Sequence, residues 1–131
     1  MVSGERLSKS RFDVLLVDDC AEFLRAIASS LGRHVDVRAV GSLAAAEREL
    51  AARVPDIVVC DAQVGDDDGL LLLERIASER PSVRRVLLSG MMFEEDDPVV
   101  TLAAPHALLR KPVTTEALLS ALGVDVASAR R

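Results

Sequence analysis

The segment Ile57-Val58-Val59-Cys60-Asp61 consists of four apolar residues followed directly by an acid. A short apolar run of this kind is typical of a strand that is buried on both faces of a sheet. Other candidate strands are Phe12–Val17 (apolar except at Asp13), Val86–Leu88, Ala107–Leu109 and the alternating segment His34–Val40. We therefore expect five strands, most of them buried on both faces.

Helical patterns separate these strands. Leu24, Ile27 and Leu31, for example, recur at the spacing of one helix face. Capping and breaking residues mark the helix ends, namely Gly32, Ser42, Pro55, Pro81, Asp97-Pro98, Pro105, Thr114 or Thr115, and Gly123. The alternation predicts an α/β fold, a doubly wound five-stranded parallel sheet with helices on both faces.

Ligands of an open parallel sheet bind at the carboxyl ends of its strands. Asp18 and Asp19 follow the first predicted strand, Asp61 ends the third, Ser89 follows the fourth and Lys111 follows the fifth. Three carboxylates, one hydroxyl and one ammonium are thus expected to converge on one edge. Carboxylates so close together repel, which requires bound protons or a cation among them.

Oxygen ligands without His or Cys favour Mg²⁺ over zinc or copper. Mg²⁺ leaves one carboxylate free to act as a nucleophile on phosphorus. Lys111 and the ion would neutralise the charge on the phosphoryl oxygens, and Ser89 could donate a hydrogen bond to one of them. This set of groups is what a site of aspartate phosphorylation needs.

The sequence resembles the receiver domain of two-component response regulators. The matching residues are Val14–Asp19, Ile57–Asp61, Asp68-Gly69, Val86–Gly90 and Arg110–Pro112. Each motif alone is weak, but their order at the predicted strand ends is specific. The resemblance spans residues 12–122 and implies a (βα)5 flavodoxin-like receiver fold. We expect residues 1–11 to be a flexible N-terminal segment and residues 123–131 a C-terminal tail.

The resemblance assigns the metal site residue by residue. It implies that Asp61 is the phosphoacceptor and also a metal ligand. Asp19 would bind the metal directly, and Asp18 mostly through water. Gln63 would contribute its backbone carbonyl. The expected cofactor is Mg²⁺, with Mn²⁺ as a substitute.

The remaining roles concern the phosphoryl group and its effects. Lys111 matches the phosphate-pairing lysine, and the Lys111–Pro112 peptide bond is expected to be cis. Ser89 matches the switch hydroxyl. Leu108 stands where the family often has a switching aromatic residue, which leaves the mode of output open because it has no ring to bury or expose.

Two residues flank the expected path of an attacking water, Gln63 and Met91. In the family such positions tune the lifetime of the phosphate. The Gln63 amide could hold a water, whereas Met91 cannot and would shield the site. We expect a phosphate of moderate to long lifetime.

The resemblance implies a phosphorelay function. A sensor histidine kinase or histidine phosphotransfer protein would phosphorylate Asp61, which would change contacts with a downstream protein target. The chemistry would be limited to Mg²⁺-dependent self-phosphorylation and autodephosphorylation, so we do not expect an enzyme. A dimer through the face of the fourth helix, fifth strand and fifth helix is one option.

Two other functions fit parts of this pattern. The first is a phosphorylation-independent, receiver-like protein-binding module. The second is an aspartate-nucleophile phosphatase of the haloacid-dehalogenase class, which wants a second Asp two residues after the nucleophile. Gln63 occupies that place.

The composition excludes other classes of function. The net charge is −5, no basic run exceeds a pair, and only three aromatic residues occur, so we expect no direct nucleic-acid binding. Apolar runs are only a few residues long and the start of the chain is polar, which favours a cytoplasmic protein without membrane contact. Cys20 and Cys60 lack metal-site spacing and are predicted to be buried free thiols.

Overall fold

Five parallel strands form the central sheet of the computed structural model, which describes residues 11–90 and 96–123. They are β1 (Asp13–Val17), β2 (Asp36–Val40), β3 (Ile57–Asp61), β4 (Arg84–Ser89) and β5 (Ala107–Arg110). Their order across the sheet is β2-β1-β3-β4-β5, with every pairing parallel. The predicted doubly wound α/β fold is confirmed.

Five helices cover the two faces of the sheet. They are α1 (Ala21–Leu31), α2 (Leu43–Ala52), α3 (Gly69–Glu79), α4 (Pro98–Ala103) and α5 (Thr115–Leu122). One core lies under α2, α3 and α4, and the other lies under α1 and α5. The alternation of side chains along a strand explains this division, since Leu15 and Val17 enter the first core while Val14 and Leu16 enter the second.

Side-chain caps fix where the helices begin. The Ser42 hydroxyl accepts from the N–H of Ala45, and the Asp97 carboxylate accepts from the N–H of Val99. Of the two threonines that could cap α5, it is Thr114 that does so, through the N–H of Ala117. Among the described residues, none of the helices is both long and apolar enough to span a membrane.

Two strand starts differ from the sequence predictions. β1 begins at Asp13 rather than Phe12, which is 47% exposed. β2 begins at Asp36 rather than His34, because the N–H groups of His34 and Val35 donate to the carbonyl of Leu31 and close the turn after α1. Both edge strands, β2 and β5, are only half-buried, so burial on both faces holds for the three central strands.

Other local predictions need correction. Cys60 is buried as expected, but Cys20 is exposed because it precedes the first turn of α1 at the sheet edge. The segment after β3 is not a plain loop, because it contains a two-residue antiparallel ladder, Gln63–Val64 with Asp67–Asp68. Of the predicted terminal segments, residues 1–10 and 124–131 lie outside the described residues.

A buried ion pair anchors the amino end of the sheet. Asp13 is 6% exposed, and both of its carboxylate oxygens accept from Arg38, at 3.2 and 3.1 Å. Arg53 donates to the same carboxylate at 2.9 Å. A second N–H arm of Arg38 reaches Glu49 on α2 at 3.0 Å. These contacts tie β1, β2 and α2 together at the end of the sheet opposite to the predicted site.

Gly69 lies where α3 approaches the end of β3. Its N–H donates to the carbonyl of Ala62 at 2.8 Å. A Cβ atom built on Gly69 would lie 1.9 Å from the carbonyl oxygen of Asp61. Because this neighbour is backbone, it cannot swing aside as a side chain would. The close approach therefore requires glycine at this position.

Gly69→Ala is expected to lower the free energy of unfolding by about 3 kcal/mol because of the overlap with Asp61. Helix propensity alone gives the opposite sign, since alanine is favoured over glycine by about 1 kcal/mol. Chemical denaturation measures the difference. Gly41→Ala is the matched control, because its nearest neighbour would be 3.8 Å away. A Gly69→Ala protein as stable as the wild type would contradict the argument.

Asp13→Asn is expected to cost about 3 kcal/mol of stability, because it leaves the poorly exposed Arg38 guanidinium without its main partner. Asp36→Asn is the control. Asp36 pairs with Asp13 across the strands, but its side chain is 65% exposed, so the same change should cost less than about 1 kcal/mol. Equal losses in the two variants would show that the buried pair has no special role.

Candidate functional site

The carboxyl ends of β1 and β3 and the segment after β5 bring charged side chains to one edge of the sheet. Asp18, which directly follows β1, is fully buried. Asp61, the last residue of β3, is 9% exposed. Lys111 follows β5, and its Nζ lies 2.5 Å from Asp18 Oδ2 and 2.7 Å from Asp61 Oδ2. One ammonium thus bridges two carboxylates.

The backbone around Asp61 is held from two sides. The N–H of Ala62 donates to the carbonyl of Leu88 on β4 at 2.8 Å. The carbonyl of Ala62 accepts from Gly69, the first residue of α3, at 2.8 Å. The register of β3 with β4 pairs Asp61 with Leu88. Asp61 therefore stands on a fixed backbone at the centre of the sheet.

The two carboxylates bridged by Lys111 also accept local backbone hydrogen bonds. Asp18 Oδ1 accepts from the N–H of Cys20 at 2.8 Å, and Asp61 Oδ1 accepts from the N–H of Gln63 at 3.2 Å. The Lys111 backbone is fixed as well, because its N–H donates to the carbonyl of Ser89 at 2.9 Å. The main chain thus orients both carboxylates and fixes the backbone of Lys111, but not its side chain.

Burial and pairing shift the ionisation of these groups in defined directions. Burial raises the pKa of the Asp18 carboxyl, although the hydrogen bonds from Lys111 and Cys20 oppose this. Burial also disfavours the charge on Lys111, but its hydrogen bonds to Asp18 and Asp61 outweigh this and raise the pKa of the ammonium. Lys111 is therefore a permanent cation at neutral pH.

Asp19 differs from its neighbour because it is exposed. Its Oδ2 accepts from the N–H of Gly65 at 3.1 Å. Gly65 has φ +63° and occupies the first position of the two-residue turn that joins Gln63–Val64 to Asp67–Asp68. The turn after β3 is therefore connected to the segment after β1.

The residues of this edge fit a hard divalent cation. Within the described ranges, Asp18, Asp19 and Asp61 each offer a carboxylate oxygen, and these atoms lie within 4.8 Å of one another. Three carboxylates against one ammonium leave an excess of negative charge that Lys111 alone cannot neutralise. All the donors are oxygen atoms, which is the ligand set of Mg²⁺.

The other predicted site residues are placed as follows. Ser89 ends β4 and is 1% exposed. Leu108 is half-buried on β5, where it packs against the core under α2, α3 and α4. Gln63 is exposed, and its side-chain amide donates to the carbonyl of Gly65 at 3.3 Å. The Lys111–Pro112 peptide bond is cis. Met91 lies outside the described residues.

Sequence reasoning missed two residues that shape the site. Gly69 entered only as part of the Asp68-Gly69 motif, whereas it also leaves room for the Asp61 carbonyl. Phe23 was not assigned at all, yet Lys111 Nζ lies 4.6 Å from the centre of its ring. The position of Phe23, four residues after Asp19 on the helix that leaves the site, is a signal that could have pointed to it.

Comparisons with known proteins agree with this geometry. The family model of the response regulator receiver domain matches residues 14–123. The regulatory protein VirG of Agrobacterium tumefaciens (strain 15955) is 31% identical over 113 residues, covering 85% of this chain and 42% of its own length. The chain spans about a third to less than half of the length of the first curated relatives it matches.

Solved structures of low sequence identity share the fold. A CheY-like receiver domain protein from Methanospirillum hungatei JF-1 has a TM-score of 0.79 at 20% identity, covering 91% of this chain and 96% of its own. A response regulator from Burkholderia pseudomallei, solved with a phosphorylated aspartic acid, a calcium ion and citrate, has a TM-score of 0.78 at 23% identity, covering 91% and 71%. Given the family match over most of its length, the chain belongs to the response regulator receiver domain family.

Proposed function

We propose that this protein accepts a phosphoryl group on Asp61 in a Mg²⁺-dependent reaction and thereby switches its contacts with other proteins. The observation that carries the proposal is the bridge of Lys111 between Asp18 and Asp61, beside a third carboxylate. The similar B. pseudomallei protein has a phosphorylated aspartic acid and a calcium ion in its structure. This supports the same chemistry at the acidic edge described above.

Accessibility selects Asp61 as the acceptor. The side chain of Asp18 has no exposed surface, so a phosphodonor cannot reach its carboxylate. The Asp61 side chain retains 12% of its exposed surface and lies on the fixed backbone of the central strand. Asp19 is exposed and therefore also accessible, but the described hydrogen bonds include none from Lys111 to Asp19. Asp61 alone combines access, a rigid position and a paired cation.

The transfer step follows from these positions. A carboxylate oxygen of Asp61 attacks phosphorus, and the new O–P bond forms as the bond to the leaving group breaks. The leaving group departs with that electron pair, as acetate when acetyl phosphate is the donor. Lys111 is close enough to follow the charge from the carboxylate to a phosphoryl oxygen. Ser89 is proposed to donate its hydroxyl to another phosphoryl oxygen.

Asp18, Asp19, Asp61 and the backbone carbonyl of Gln63 are the groups proposed to hold Mg²⁺. When bound, the ion would supply positive charge to the phosphoryl oxygens. Gln63 and Met91 are proposed to control how readily water reaches the phosphoaspartate, giving a moderate to long lifetime. The side-chain amide of Gln63 already donates to Gly65, which restrains it beside the site.

The surface proposed to change its contacts on phosphorylation is formed by α4 and β5. Leu108 and α4 line a groove of about 320 Å³. Ser89 pairs with Arg110 across the strands, two residues beyond Leu108. A movement of Ser89 towards a phosphoryl group would therefore be passed to β5 and to this groove. A sensor histidine kinase or histidine phosphotransfer protein is the proposed donor, and a protein recognising the altered face is the proposed target.

A second candidate is a receiver that binds its partner without phosphorylation. Leu108 favours this candidate. The family often has an aromatic ring at this position that moves on phosphorylation, and the half-buried aliphatic side chain of Leu108 has no ring to move. In that case the acidic edge would be a metal site only.

Incubation with acetyl phosphate and Mg²⁺ is expected to add one phosphoryl group per chain, because Asp61 is the accessible carboxylate paired with a cation. Intact-protein mass spectrometry measures the gain. Asp61→Asn and treatment with a chelator should both abolish it. Asp66→Asn, a change of an exposed acid near the site, is the control and should be phosphorylated like the wild type.

No mass gain in folded wild-type protein would favour the phosphorylation-independent module. A gain that persists in Asp61→Asn would show that another residue is the acceptor.

Mg²⁺ is expected to raise the Tm of the wild type, because it relieves repulsion among three carboxylates that meet only in the folded chain. At 100 times its Kd the ion adds about 2.7 kcal/mol, or roughly 10 °C in Tm. Asp19→Asn should lose most of this rise. Asp67→Asn, which removes an exposed acid outside the cluster, should keep it. Equal rises in both variants would indicate general screening of acidic charge rather than a site.

A further inference from the structure

The ring of Phe23 forms one side of the surroundings of the Lys111 ammonium. Two carboxylates, those of Asp18 and Asp61, accept hydrogen bonds from Lys111 Nζ. The ammonium has three N–H donors, so these bonds do not use all of them. The same Nζ lies over the Phe23 ring, 4.6 Å from its centre. This distance is within the range of a cation–π interaction.

Phe23 is fixed in this position by its own packing. It is the third residue of α1, the helix that begins directly after the acidic pair Asp18-Asp19 and Cys20. Its ring is half-buried and packs against the core under α1 and α5. The Lys111 side chain is 24% exposed, although it follows the edge strand of the sheet. The aromatic ring thus covers a flexible cation beside the reacting carboxylate.

We infer that Phe23 is a positioning residue, whose ring face keeps the Lys111 ammonium beside Asp61. The inference rests on the proposed function, because the position of Lys111 matters for phosphoryl transfer to Asp61. The lysine side chain has a flexible four-carbon stem, so its ammonium readily moves from a surface site into the solvent. The ring attracts the cation without accepting a hydrogen bond. It therefore holds the ammonium while leaving its N–H groups to the carboxylates and to an arriving phosphoryl oxygen.

An alternative role for Phe23 is packing alone. In that case a side chain of similar volume, such as leucine, would serve equally well. A cation–π role requires the aromatic face, so tyrosine should replace phenylalanine and leucine should not. The variants Phe23→Leu and Phe23→Tyr separate these two roles.

The contact itself is testable by NMR without any phosphorylation. The chain has only two lysines, Lys9 and Lys111, so protein labelled with ¹³C,¹⁵N-lysine gives two sets of signals, and Lys9→Arg assigns them. The Lys111 Hε protons should be shifted upfield relative to those of free lysine, because the adjacent Nζ lies over an aromatic face. The shift should persist in Phe23→Tyr and disappear in Phe23→Leu. Comparison with free lysine tests the contact in the wild type even where a variant fails to fold.

The functional arm measures the rate of phosphorylation by acetyl phosphate and Mg²⁺. Phe23→Leu should slow it by about two- to tenfold, the range set by one cation–π contact. Phe23→Tyr should restore the wild-type rate. Phe12→Leu makes the same change on a half-exposed phenylalanine at the opposite end of β1, and should leave the rate unchanged.

The inference would be overturned by a Lys111 signal that is the same in the wild type and Phe23→Leu. It would also be overturned by equal rates in these two proteins, or by a loss of rate that tyrosine does not restore. If the wild type shows the upfield shift but accepts no phosphoryl group, the contact stands, while the proposed function and the positioning role both fail.

Discussion

The hydrogen bonds from Lys111 Nζ to the carboxylates of Asp18 and Asp61 are the interaction on which the rest of the site depends. Two buried acids and a third exposed one would repel each other at the edge of the sheet. One ammonium reduces that repulsion but does not remove it. The residual negative charge favours a divalent cation at this edge, and under the proposed function that cation would offset the charge of a phosphoryl group.

The fold supplies the rigidity that this arrangement needs. Asp61 lies on the central strand, with its neighbour Ala62 hydrogen-bonded to β4 on one side and to the start of α3 on the other. Gly69 permits that approach because a side chain there would overlap the Asp61 carbonyl. At the opposite end of β1, both carboxylate oxygens of the buried Asp13 accept hydrogen bonds from Arg38, and this ion pair fixes the strand. An acid with its full set of cationic partners thus begins β1, and an incompletely neutralised acid, Asp18, directly follows it.

Much of this could be predicted from the sequence, for physical reasons. Buried parallel strands are short apolar runs, so Ile57–Cys60 identified the central strand and the acid at its end. The carboxyl ends of parallel strands lie at the same edge of a sheet, so the sequence alone places Asp18, Asp61 and Lys111 close together. The capping residues Ser42 and Asp97 were visible because a helix start needs acceptors for its free N–H groups.

The features that were missed depend on distances across the fold. Nothing in the pattern around Gly69 shows that the Asp61 carbonyl occupies the space of a Cβ atom. The contact of Phe23 with Lys111 joins residues far apart in the chain, and periodicity reports only the core-facing side of α1. The exposure of Cys20 likewise follows from its place before the first turn of α1 at the edge of the sheet, which residue type alone does not reveal.

The central claim is that Asp61 is the carboxylate at which a tetrahedral phosphoryl group is bound in the presence of Mg²⁺. Beryllofluoride mimics that group on a carboxylate, and ¹⁹F NMR shows whether it is bound. The account predicts bound fluoride signals in wild-type protein with Mg²⁺, and none without the ion or in Asp61→Asn. Bound signals of equal intensity in Asp61→Asn would contradict the account, because they would place the phosphoryl site on another residue.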